Sequence, residues 1–147
     1  MTGPEAGRDG RVGAATSLDL ADLPPAPLHD RLGITVTEAG ADRCVGTMPV
    51  DGNTQPFGLM HGGASCVLAE GLASIAATIY AWPHKTAVGV DLNATHHRAV
   101  RTGTVRGVAV PVHQGSTVAT YEVVITDERD RRVCTARLTC LLRPATT

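Results

Sequence analysis

Apolar and polar residues alternate along much of the chain, and one long segment interrupts the alternation. Ile34-Thr35-Val36-Thr37-Glu38 alternates and is rich in β-branched residues, which predicts a strand. Ala39 to Asp42 reads as a turn, Arg43 to Val50 as the returning strand, and Asp51 to Thr54 as a loop. The two-residue period returns in Thr86 to His96, Gly103 to His113, Ser116 to Thr126 and Arg132 to Leu142. Val88, Val90 and Leu92 are expected on one face of the first of these. Arg98 to Thr102 is a connection, and Gln114-Gly115 and Asp127 to Arg131 are turns, so the four strands are expected to follow one another through hairpin-like connections.

The interruption runs from about His61 to Tyr80. Its residues are small or apolar on every side and include no proline, which predicts a buried helix of four turns or more, ended by Trp82-Pro83-His84. The segment reads as too short and too interrupted to span a membrane, so protein must wrap it. Either the sheet curls around the helix or a second copy covers the bare side, and both together are expected. The fold class is therefore α+β, with about six antiparallel strands around one long central helix. One carboxylate, Glu70, lies midway along that helix. Burying an ionised group costs several kcal/mol, so a carboxylate there implies a use.

The ends add less. Residues 1–22 lack periodicity and read as a disordered tail with a turn of helix near its end; residues 23–147 form the one folded domain that 147 residues suit. Leu23 to Pro27 is a stiff linker, and Leu28 to Leu32 makes one or two helical turns stopped by Gly33. With 43% hydrophobic and 18% charged residues the chain can fill a core, while a net charge of −1 and 3% aromatics offer neither nucleic acid nor an anionic membrane a surface. Cys44, Cys66, Cys134 and Cys140 fit no zinc spacing and lie in apolar runs, as small core residues in a reducing compartment do. With no apolar run at the N-terminus there is no signal peptide, and the expectation is a cytoplasmic protein. His96 and His97 are neighbours on a strand and point to opposite faces, a poor chelate, so no metal is expected.

Gly58-x-x-His61-Gly62-Gly63, then six residues, then Glu70, set between a strand pair and a four-strand run, resembles the hotdog-fold acyl-CoA thioesterases. More narrowly it is similar to the PaaI-like branch, and the glutamate is similar to that of the 4-hydroxybenzoyl-CoA thioesterases of the Arthrobacter type. The likeness covers about Leu28 to Pro144. It implies thioester hydrolysis with no cofactor, coenzyme A being part of the substrate. Thioester hydrolysis needs a polariser for the carbonyl oxygen and either a nucleophile or a base for water. Gly62 and Gly63 lie at the helix N-terminus, where free amides and the dipole favour negative charge. The resemblance implies that the Gly62 amide binds the thioester oxygen, that Gln55 assists it, and that Ser74 helps place the water one turn beyond Glu70. Glu70 attacks the carbonyl or deprotonates water; the sequence leaves both open. His61 orients the loop or contacts the thioester. Arg98 and Arg143, with Ser116 and Thr117, match positions that meet the CoA nucleotide. Ahead of Arg98 the family usually has aromatic or large apolar residues, and often proline after the basic residue; here stand His96, His97 and Ala99.

Residues 62 and 70 lie eight apart, roughly 12 Å along one helix. A thioester carbonyl needs both groups near contact distance. Two antiparallel copies of the helix satisfy this, so an obligate homodimer with two shared sites is expected, and the family commonly pairs such dimers into tetramers. Two other readings stay open: a non-catalytic acyl-CoA binder or sensor, and an enoyl-thioester hydratase. The second wants an acid and a histidine set as a pair, a spacing the sequence lacks.

Overall fold

In the computed structural model, which describes Ser17 and residues 19–145, the period-two segments pair into one antiparallel sheet. A 3-10 turn at Leu20–Asp22 and helix α1 (Pro27–Leu32) precede strands β1 (Thr35–Ala39) and β2 (Cys44–Pro49). Helix α2 (Gly62–Ala81) follows, then β3 (Lys85–His96), β4 (Thr104–Gln114), β5 (Val118–Thr126) and β6 (Arg132–Pro144). Proline at its first position starts α1, and Gly33, at φ 69°, ends it in the left-handed region that glycine enters without strain. The expected tail lies for the most part outside the described residues; its last residues make the 3-10 turn.

The sheet order is β1-β2-β4-β5-β6-β3. This corrects the expected run of four hairpin-linked strands. Of these four, only β4-β5 and β5-β6 are consecutive neighbours. Helix α2 carries the chain across the sheet, so β3 enters at the far edge beside β6, and β4 returns to pair with β2. The expected face of β3 is also corrected. Gly89 pairs with Cys140 and Asp91 with Thr139, leaving Val90 as the extra residue of a β-bulge. The bulge reverses the parity: Val88 and Val90 are exposed, while Leu92 and Ala94 pack toward the core.

The sheet curls around α2 and buries ten of its twenty residues, among them Leu68, Leu72, Ala73, Ala76 and Ala77. At twenty residues the helix is long and apolar enough to cross a bilayer by length and composition alone, contrary to the expectation from sequence. Burial of more than half of its most apolar stretch against the sheet is what identifies it as a core helix. Leu72 is its centre. A Cβ added at Gly46 or Gly107 would come within 2.9 or 2.8 Å of the Leu72 methyl carbons, so these two strand glycines make the hole that Leu72 fills. Leu72→Ala should therefore cost about 2–5 kcal/mol of stability, read from urea unfolding at unchanged m-value.

The far end of α2 is tied down by polar contacts. Tyr80 donates to the Gln114 carbonyl at 3.0 Å, and the Gln114 side chain donates in turn to the Ala41 carbonyl at 3.0 Å and to the buried Tyr121 hydroxyl at 2.9 Å. All four cysteines are free thiols, with Cys44, Cys134 and Cys140 buried. Burial pushes the Cys44 thiol up to about 12 and those of Cys134 and Cys140 up to about 11, so they stay protonated and inert.

Candidate active site

The site begins where the loop after β2 meets the start of α2. The Asn53 side chain donates to the Leu32 and Pro49 carbonyls at 2.7 and 2.9 Å, and the Asn53 carbonyl accepts from the His61 amide at 2.8 Å. That loop is thereby pinned to α1 and β2, and the helix start is fixed with it. His61 caps the helix: its Nδ1 accepts from the Gly63 amide at 2.8 Å. An accepting Nδ1 carries no proton, so the ring is the neutral tautomer with its hydrogen on Nε2. The sequence leads one to expect several free amides here. The structure commits that of Gly63 to His61 and leaves that of Gly62 without a partner among the described residues. Gly62 is thus the open donor at the positive end of the α2 dipole.

A cleft of about 330 Å³ opens over that amide, and Gln55, Gly62, Ser65, His96 and Arg98 line it. Three residues expected at the site, Gln55, Gly62 and Arg98, are brought together. Gln55 sits in a tight turn in which its Oε1 accepts from the Phe57 amide. Its amide nitrogen keeps two donors free to turn toward the cleft. His96 is the residue that sequence reasoning missed. Its ring covers Gly62 so closely that a Cβ there would lie 2.8 Å from Nε2. Glycine at 62 therefore makes room for an imidazole as well as for a ligand. The parity past the bulge could have found it, because Leu92, Ala94 and His96 share the inner face. His97 also borders the cleft, its Nε2 pairing with Thr135 Oγ1 at 2.9 Å.

Glu70 lies elsewhere. Sequence places it within a buried helix; the structure places it, exposed, on the one stripe of α2 that the sheet leaves open, with Gly63, Val67 and Ser74. Its Oε1 sits 3.3 Å from where a Cβ on Gly89 would stand, so the missing side chain on β3 keeps the carboxylate's space clear. The thiols of Cys66 and Cys140 are raised first by burial and second by this carboxylate, while the Ser74 hydroxyl bonds Cys140 and opposes the rise. Glu70, Ser74, Cys66 and Cys140 thus form one neighbourhood, distinct from the cleft at Gly62.

Ser116, Thr117 and Arg143 gather at the opposite end of the molecule from Gly62. Lys85 Nζ donates to the Ser116 carbonyl, the Leu142 amide beside Arg143 donates to the Thr117 carbonyl at 2.8 Å, and Arg143 pairs across to Thr86. Since β3 runs antiparallel to α2, this basic corner lies by the helix C-terminus and Arg98 by the N-terminus. One chain therefore holds an open amide with a cation at one end, a carboxylate with a hydroxyl in the middle, and a second cation with hydroxyls at the other end.

Residues 57–134 match the family model described as Thioesterase superfamily. The chain is 50% identical over 112 residues to the proofreading thioesterase EntH of Cronobacter turicensis, covering 76% of this chain and 82% of that one. The crystal structure of a thioesterase from Haemophilus influenzae is similar with a TM-score of 0.76 at 38% identity, covering 80% of this chain and 82% of the other. That of the PaaI protein from E. coli, at 22% identity and a TM-score of 0.75 over 82% of this chain and 87% of its own, shares the fold. A sheet curled about one helix, with an unpaired glycine amide at the helix tip and a glutamate eight residues on, is thus the hotdog scaffold of the thioesterase superfamily, to which this chain belongs as a thioester hydrolase.

Proposed function

We propose that the chain hydrolyses acyl- or aryl-CoA thioesters in a homodimer, Glu70 of one subunit acting on a carbonyl polarised by the Gly62 amide of the other. The observation that carries this reading is the separation inside one chain of its two reactive features. The open amide and the exposed carboxylate belong to different neighbourhoods, about 12 Å apart along α2. An antiparallel second helix supplies each with its counterpart. The unpaired edge of β3, twelve residues long and bearing exposed Val88 and Val90, is a surface on which two copies can pair and so align their helices. Pairing of such dimers into a tetramer through exposed Val110, Val112 and Leu141 on the outer sheet face completes the assembly we favour.

In this reading the Gly62 amide and the Gln55 amide nitrogen receive the oxyanion. Glu70 either attacks the carbonyl carbon, expelling the CoA thiolate and leaving a mixed anhydride that water hydrolyses, or takes a proton from the water that attacks. Ser74 positions that water. His61, committed to the Gly63 amide, is a positioning residue with an Nε2 proton to offer. Arg98, Arg143, Ser116 and Thr117 serve the phosphates of CoA, and the long ladder between Arg98 and Arg143 suits an extended pantetheine arm spanning two subunits. No cofactor is required, and the free thiols accord with the reducing cytoplasm.

The test is a panel of short, medium, long and aromatic acyl-CoAs, with free thiol as readout. Turnover with release of CoA at a dimer or larger assembly is the expected result. Tight binding of the esters without release would favour the binder, and consumption of an enoyl-CoA without free thiol would favour the hydratase.

A further inference from the structure

Beyond Glu70 along α2 the chain holds a second cleft, of about 490 Å³. Gly71, Ser74 and Ile75 form its helix wall, and the segment ahead of β1, from Leu23 through His29, forms the wall opposite. That volume suits an acyl group and is reached from Glu70 within one helical turn, roughly 5.4 Å. The lining is mostly apolar. Its one imidazole, His29, is half-buried and hydrogen-bonds to no described residue through its ring. The ring rests directly on Gly71, where an added Cβ would collide with Nε2. Glycine at 71 therefore brings a solvent-reachable imidazole to the helix surface next to the reacting carboxylate. The ring nitrogens make no hydrogen bond to a described residue and reach solvent, so a ligand oxygen in the cleft can replace water on them.

Resting on the thioesterase reading above, we infer that this cleft seats the acyl group and that His29 is its specificity-determining residue, selecting acyl groups with an apolar body and a hydrogen-bonding oxygen close to the carbonyl. The segment 23–29 is then the roof of the acyl site, and α1 serves to hold His29 in place.

The experiment compares kcat/KM for 3-hydroxyhexanoyl-CoA and hexanoyl-CoA, with acetyl-CoA as a substrate too short to reach the cleft. The parent should prefer the hydroxylated ester by about 10-fold, the size of one net hydrogen bond. His29→Ala should bring the ratio to about one, and His29→Gln should keep part of it; acetyl-CoA turnover reports the chemistry common to all three esters and scales the comparison. Gly71→Ala, which displaces the ring, should lose the same preference, and adding it to His29→Ala should lose nothing more. Thioester turnover without a preference, or a preference that survives in His29→Ala, overturns this inference alone. A parent that hydrolyses no thioester overturns the thioesterase reading and this inference with it.

Discussion

Glu70→Gln is expected to lower kcat by about 10³-fold with the fold intact, because the change removes the one carboxylate beside the reacting carbonyl while keeping its shape. The exposed position of Glu70 makes the variant a clean probe: among the described residues no ion pair is lost with the charge, so unfolding should move by less than about 0.5 kcal/mol. KM should change little, since an amide fills the same space clear of Gly89. Rapid-quench kinetics of the parent bear on the two routes left open. If Glu70 is the nucleophile, the parent should release a burst of CoA thiol in rapid-quench experiments, as the mixed anhydride forms faster than water consumes it. A general base gives no burst. A Glu70→Gln enzyme that turns over at the parental rate would remove Glu70 from the chemistry.

The strand segments, the long helix and its start at Gly62 were legible in the sequence because local rules decide them: a period of two, an uninterrupted apolar run, paired glycines at the helix tip. What local pattern does not carry is which strand lies beside which. Four alternating runs in succession read as hairpins, yet crossing the sheet by α2 sends β3 to the far edge, a consequence of packing rather than of any residue between 97 and 103. The bulge at Val90 was hidden for a similar reason. Val88, Val90 and Leu92 keep perfect alternation, and only the pairing with β6 shows the slip. The burial of Glu70 was misjudged because small residues on all sides of a helix signal close neighbours without saying on how many sides they stand. The residues near the chemistry fared unevenly. Gln55, Gly62 and Arg98 line one cleft, whereas His96 enters it through tertiary contact with Gly62, which lies on a different element far back in the sequence. His29 lies in a short helix whose sequence carries no chemical signature, and only the contact with Gly71 draws notice to it.

Mixed dimers provide the most demanding test of a shared site. Gly62→Ala places a Cβ against His96 Nε2 and drives that ring into the cleft over the open amide, so this variant should lose activity at the oxyanion end. Glu70→Gln loses it at the carboxylate end. Each homodimer is then inactive at both sites. Co-expressed with two different affinity tags and purified through both, the heterodimer carries one site built from two altered groups and one built from two intact groups. Its specific activity should return to about half that of the parent, with unchanged KM. If both groups acted within one chain, each subunit of the heterodimer would still contain a broken site and activity would stay at the level of the single variants. Subunit exchange adds a kinetic form of the same result: mixing the two inactive homodimers should restore activity at the rate at which the dimers trade partners, and covalently crosslinked homodimers should show no recovery. No recovery in a purified heterodimer would place the carboxylate and the amide of a working site on the same chain.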